Sequence, residues 1–214
     1  MIRVQSFTFN PFQENTYVLS NEKGEALIID PGCYFSAEYE ALKKYLNENE
    51  LTPVKLLNTH CHLDHVFGNK AVAKVFGLEP YLHKNEEPVL EMASKSALMY
   101  GLGFDNYTGP LHFLAEGEVL KFGDTDLKVL LAPGHSPGSI CFYSAADNFV
   151  IAGDVLFFES VGRSDLPGGN SEQLLQSIKE QLFTLPDETR VYSGHGPATT
   201  IGHEKQNNPF CSFD

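Results

Sequence analysis

This chain of 214 residues predicts a single α/β domain. Short apolar runs rich in β-branched and aromatic residues alternate with stretches of helical period, and Gly, Pro and Asp punctuate them. Residues able to bind metal ions recur where a predicted strand ends. No linker, internal repeat or low-complexity tract divides the chain.

Arg3–Phe9 alternates apolar and polar residues as a strand does, Thr16–Leu19 is β-branched and aromatic, and Glu25–Ile29 runs into the turn Asp30-Pro31-Gly32. Ser36 can cap a helix reaching Asn49, with Tyr39, Leu42, Tyr45 and Leu46 on one face. Val54–Leu57 predicts a short strand that leads directly into Thr59-His60-Cys61-His62-Leu63-Asp64-His65, after which Val66–Phe76 reads as a helix stopped by Gly77. Pro80–Lys84 predicts a strand, Glu86–Ser94 a helix, and Leu98–Gly109 a Gly-containing loop that could overhang a site. Val119–Phe122, Leu127–Leu131, Ser139–Tyr143 and Phe149–Ile151 predict four strands separated by turns. Beyond the Gly-rich Pro167–Gly169, Ser171 opens a helix to Phe183, and Arg190–Ser193 predicts a last strand before Gly194-His195-Gly196-Pro197.

Composition narrows the function classes. A formal net charge of −13 argues against nucleic acid, whose phosphates are bound by clustered Lys and Arg. No apolar run approaches the roughly 18 residues a membrane helix needs. The four cysteines, Cys33, Cys61, Cys141 and Cys211, form no CxxC, and the opening MIRVQSFTFN has no apolar targeting core, so a reducing, cytoplasmic setting is expected.

The chemistry-bearing signal is the cluster H-x-H-x-D-H at His60, His62, Asp64 and His65, a pattern expected by chance in roughly one in two thousand chains of this composition. Three further candidates stand at later strand ends: His135 in Pro133-Gly134-His135-Ser136-Pro137-Gly138, Asp154 after Ile151-Ala152-Gly153, and His195 between two glycines. Imidazole and carboxylate suit zinc, iron or manganese. Seven ligands exceed one tetrahedral zinc and match two ions sharing a bridge, for which Asp154 has the best chemistry, because a carboxylate can bind both ions and a neutral imidazole only one.

Taken together, THCHLDH, PGHSPGS, AGD and SGHG in this order resemble the metallo-β-lactamase superfamily, and within it glyoxalase II (hydroxyacylglutathione hydrolase) and its short relatives. The subfamily likeness is carried by Gly153–Phe157, Val161–Gly169, and the tail Gly196–Glu204 with Asn208-Pro209-Phe210. The resemblance implies an αβ/βα four-layer sandwich spanning 1–214, without the C-terminal helical domain of full-length glyoxalase II. It implies one metal at His60, His62 and His135, a second at Asp64, His65 and His195, and Asp154 between them, with Asp30 orienting the ligand loop from behind. The expected cofactors are two divalent ions, zinc foremost with iron or manganese tolerated. The expected partner is a small acyl thioester, S-lactoylglutathione first, hydrolysed by a metal-bridging hydroxide with Asp64 and Asp154 as the catalytic carboxylates and Arg163 binding an anionic substrate group. Lys205 could also touch substrate. His83 and His112 have no motif partner, and His203 belongs to the tail without an assigned catalytic role. Alternatives are a mononuclear iron persulfide dioxygenase, using positions matching His60, His135 and Asp154, and a lactonase with the same dinuclear centre. A β-lactamase fits less well, and a non-catalytic scaffold would be expected to have lost ligands.

Overall fold

The computed structural model describes residues 1–212. Two six-stranded sheets face one another. The first is built in spatial order from β1 (Arg3–Phe9), β2 (Glu14–Ser20), β3 (Glu25–Ile29), β4 (Thr52–Leu57), β5 (Pro80–His83) and β6 (His112–Leu114). It begins as an antiparallel meander and turns parallel from β3 onward. The second comprises β7 (Val119–Phe122), β8 (Thr125–Leu131), β9 (Ile140–Ser144), β10 (Phe149–Gly153), β13 (Arg190–Ser193) and β14 (Thr199–Thr200), with β10 and β13 parallel. A small hairpin of β11 (Leu156–Phe157) and β12 (Ser160–Val161) stands apart.

The period-2 alternation of the strands explains the layering. Tyr17, Leu19, Leu27, Ile29 and Leu57 point inward and meet Leu127, Val129, Phe142 and Ile151 of the second sheet in a central core. The intervening residues Val18, Ala26, Ile28 and Leu56 face outward and are covered by Leu42 and Leu46 of α1 (Ser36–Glu48) and Val72 and Ala73 of α3 (Asn69–Phe76). On the opposite side Leu130, Cys141, Val150 and Val191 are covered by Leu174 of α5 (Ser171–Ser177) and Ile201 of α6 (Ile201–Asn207). The result is the expected αβ/βα four-layer sandwich. Strands buried on both faces read as nearly continuous apolar runs, as Glu25–Ile29 does.

Three expectations are corrected in detail. The helix read as Val66–Phe76 is two, α2 (Leu63–Val66) and α3. It breaks at Gly68 because that backbone N–H donates to the Pro31 carbonyl at 2.7 Å, and a Cβ there would lie 2.6 Å from the same oxygen. The helix expected to end at Ser94 is α4 (Glu87–Met99), so the loop begins later, at Tyr100. The helix from Ser171 widens after Ser177 into a π turn, Ile178–Leu182.

Candidate metal centre

The sheet edges bring all seven predicted ligands to one rim. His60 and His62 follow β4, Asp64 and His65 lie in α2, His135 sits between β8 and β9, Asp154 follows β10 and His195 follows β13. Parallel pairing of β10 with β13 places Gly153 beside Ser193 and therefore Asp154 beside the Gly194-His195 turn. That approach is so close that only glycine fits at 194, where a Cβ would run into Asp154 Oδ1 and lie 2.7 Å from His65 Cε1.

Two three-residue groups result. His62 Nδ1 lies 2.8 Å from His135 Nε2, which lies 3.2 Å from His60 Nε2. In the second group, Asp64 Oδ2 lies 3.2 Å from His195 Nε2 and 3.8 Å from His65 Nε2. Asp154 stands between them, with Oδ1 3.3 Å from His65 Nε2 and Oδ2 3.5 Å from both His135 Nε2 and His195 Nε2.

The ring nitrogens turned away from the centre are held by acceptors. His135 Nδ1 donates to the Arg163 carbonyl at 2.6 Å, and His195 Nδ1 to that of Gln13 at 3.2 Å. Asp30 Oδ2 accepts from His65 Nδ1 at 3.1 Å and from Thr59 Oγ1 at 2.5 Å, while its Oδ1 accepts the Thr59 N–H at 2.7 Å. With its own proton committed to Asp30, Thr59 Oγ1 accepts from His60 Nδ1 at 3.1 Å. A carbonyl can only accept, so the outer nitrogens of His135 and His195 keep a proton, as do those of His65 and His60 on Asp30 and Thr59, which leaves the inner nitrogens of these four rings to offer a lone pair to a metal. Asp30 adopts a left-handed conformation, φ 49°, at this junction, a mild strain often found at functional sites. The third ring-and-carboxylate group, Asp30 with His60 and His65, is this supporting contact and not another ligand set.

The electrostatics divide the two groups. Burial, reinforced by His65 and His135, keeps the His60 pKa well below its ordinary value, and burial with His135 lowers His62 to about 4. Burial also opposes charge on His65, but the carboxylates of Asp154 and Asp64 outweigh it and raise its pKa well above 6.5. His195 is raised likewise, with Asp64 and Asp154 overcoming burial. In return, Asp154 is lowered well below the ordinary range despite its burial, chiefly by His65.

This donor set fits metal ions. His65 Nε2 and Asp154 Oδ1 are buried without a hydrogen-bond partner, a cost of about 1–3 kcal/mol for each such group, and both point to the centre where a cation would satisfy them. Seven imidazole and carboxylate donors with no thiolate among them suit zinc, iron or manganese.

Other singled-out residues are placed less centrally. The Arg163 guanidinium is exposed and paired bidentately with Asp165 at 2.7 Å, while its backbone carbonyl holds His135. Lys205 pairs with Asp187 at 2.6 Å. His203 stacks on Phe158 and bonds Glu159 Oε1 at 3.1 Å, and His112 stacks on Tyr81 and pairs with Glu79 at 2.6 Å. His83 Nδ1 accepts the Asn85 N–H. Sequence reasoning missed Asn15, whose amide donates to the carbonyls of Ser193 and Gly196 on either side of His195, and the buried carboxylates Glu14 and Glu86. Nothing local marks Asn15 or Glu86, since the partners named for them lie far away along the chain, and the Glu14 carboxylate shows only a hydrogen bond from Thr16 Oγ1 two residues on.

Comparison with known proteins shows the family and the fold. A family model described as the metallo-beta-lactamase superfamily matches residues 9–195. The Bacillus subtilis (strain 168) protein named "Probable metallo-hydrolase YqgX" is 42% identical over 203 residues, covering 94% of each chain. "Hydroxyacylglutathione hydrolase GloC" of Haemophilus influenzae is 36% identical over 213 residues, 99% of each. Among solved structures, BLEG-1 B3 metallo-beta-lactamase superposes with a TM-score of 0.90 at 39% identity, covering 99% of this chain and 100% of that one. TTHA1623 in a di-iron-bound form superposes with a TM-score of 0.88 at 40% identity, covering 96% and 99%.

Proposed function

Since the chain belongs to the metallo-beta-lactamase superfamily and is a metal-binding hydrolase of that family, we propose that it binds two divalent ions, zinc foremost, and hydrolyses a small acyl thioester such as S-lactoylglutathione. The observation that carries this reading is the placement of Asp154, whose carboxylate reaches both donor groups, Oδ1 toward His65 and Oδ2 toward His135 and His195. Likeness to a hydroxyacylglutathione hydrolase supports the thioester, and a di-iron-bound relative supports two ions.

Bound at these residues, two divalent cations supply a water acidified toward neutral pH and Lewis-acid polarisation of a carbonyl oxygen. The protein's own groups do the rest. The hydrogen bonds from His135 to Arg163, His195 to Gln13 and His65 to Asp30 hold the imidazole lone pairs on the centre before substrate arrives. Asp64, whose Oδ2 lies 3.2 Å from His195 Nε2 on the rim of the centre, would take a proton from the attacking water. A thiolate, with a parent thiol pKa of about 8.5, leaves without a strong acid, so none need be sought. Arg163 anchors a substrate carboxylate by exchanging its Asp165 partner for it, a like-for-like bidentate pair.

We place residues 1–214 in one metallo-β-lactamase-like domain working in the cytoplasm, a compartment that suits four free, buried cysteines. Among the described residues no helix is long and apolar enough to cross a membrane. The test is a substrate panel on metal-loaded protein. Preferential turnover of S-lactoylglutathione supports the assignment, hydrolysis of lactones or β-lactams alone refutes the thioester, and oxygen-dependent consumption of persulfide refutes the hydrolase.

A further inference from the structure

Glu86 is fully buried, yet it belongs neither to the metal donors nor to the apolar cores. It stands at the N-cap of α4, where a side chain would ordinarily accept from the first turn of its own helix, and it makes no such bond. Its two oxygens reach instead into both loops that carry the all-histidine donor group. Oε2 accepts the Cys61 N–H at 2.7 Å, between His60 and His62. Oε1 accepts Ser136 Oγ at 2.6 Å and the Gly138 N–H at 2.6 Å, just beyond His135. Gly138 makes room for it, since a Cβ there would lie 3.0 Å from Glu86 Cγ.

The two loops are distant in sequence, and the backbone hydrogen bond between them, the Ile140 N–H to the Thr59 carbonyl at 2.9 Å, precedes His60. Apart from the approach of the imidazoles to one another, the Glu86 contact is the one among the described residues that ties the main chain of the His-Cys-His triplet to the His135 loop. Two of its three donors are backbone N–H groups, so a shift of the carboxylate moves main chain on which imidazoles are mounted, and both groups would otherwise be buried without partners.

We propose that Glu86 is a positioning residue for the His60/His62/His135 metal site, one buried carboxylate that fixes the distance between the two ligand loops and so sets the affinity of that site but not of the other. The proposal rests on the two-ion reading above. Wild-type protein that takes up fewer than two ions would refute that reading before any variant is compared.

Glu86→Gln keeps shape and one acceptor but turns an NH₂ toward Cys61 N–H or toward Gly138 N–H, so one backbone donor loses its partner whichever way the amide lies. Supporting groups of this kind are worth about 10- to 100-fold in metal affinity. The experiment titrates cadmium into the apo-protein and reads the two sites as separate cadmium NMR resonances under chelator competition, with thermal melting to establish folding. The expected result is a loss of about 10-fold or more at the nitrogen-only site, with the Asp64/His65/His195 site changed much less. Equal affinities to wild type at both sites, or an equal loss at both, would overturn the proposal. Should Glu86→Gln fail to fold, Ser136→Ala removes one donor and leaves the carboxylate buried in place. A loss confined to the nitrogen-only site then supports the proposal, and unchanged affinity there overturns it.

Discussion

Asp30→Asn is a sharp probe of how the second donor group is prepared. The substitution keeps volume and tolerates the left-handed backbone at φ 49°, because Asn visits that region readily. The remaining carbonyl oxygen can still accept the Thr59 N–H, and Thr59 Oγ1 can rotate to accept from the new amide. His65 cannot adapt. Its Nδ1–H, 3.1 Å from Asp30 Oδ2, would face an N–H. Either the two donors stay opposed, or the imidazole moves its proton to Nε2, the atom that must offer a lone pair to metal. A buried donor without a partner costs about 1–3 kcal/mol, so affinity at the Asp64/His65/His195 site should drop by about 10- to 100-fold. In a chain of this size the same loss lowers the melting midpoint of the apo-protein by about 2–4 °C per kcal/mol. Chelator competition with two resolved sites, beside calorimetry, measures both. If the folded variant binds metal at that site as tightly as wild type, the tautomer argument is wrong.

Three other outcomes are expected. Asp154→Asn removes the one charge shared by both donor groups and should reduce kcat by several orders of magnitude with the fold intact; near wild-type turnover with both metals retained would sink the bridging role. Arg163→Ala should raise KM about 10-fold, some 1.4 kcal/mol, with little change in kcat, since a remote anchor serves ground and transition states alike; a pure kcat effect would contradict it. On acidification the Asp64/His65/His195 site should lose metal first. His65 and His195 have raised pKa values and regain protons from above pH 6.5 downward, competing with metal, while His62 stays neutral until about 4. Site-resolved metal content across that range checks the order, and simultaneous release or the reverse order would contradict it.

The donors were legible because four crowd into one short segment just beyond a strand and the other three, His135, Asp154 and His195, follow strands beside a glycine, and because a strand buried on both faces betrays itself as an apolar run. Elements of two or three residues, such as His112–Leu114, Leu156–Phe157 and Ser160–Val161, carry no period and went unread. So did α6, although Thr200 caps it by accepting the His203 N–H at 3.2 Å. The break at Gly68 depends on the Pro31 carbonyl, and the work of Glu86 depends on loops about 25 and 50 residues away, contacts that no local window contains. The tail motif acquired a structural reason only from the coordinates. Buried Glu204 accepts from Thr199 Oγ1, the Glu159 N–H and Asn208 Nδ2, tying the chain's end to the β11–β12 hairpin.

A two-ion centre bridged by Asp154 is tested by following activity as metal is added back to the apo-protein. S-lactoylglutathione hydrolysis should remain low through the first equivalent and rise to a plateau at the second, with two ions per chain found by elemental analysis. Full hydrolytic activity at one ion per chain, or a well-loaded preparation holding a single iron and consuming oxygen with persulfide, would contradict it.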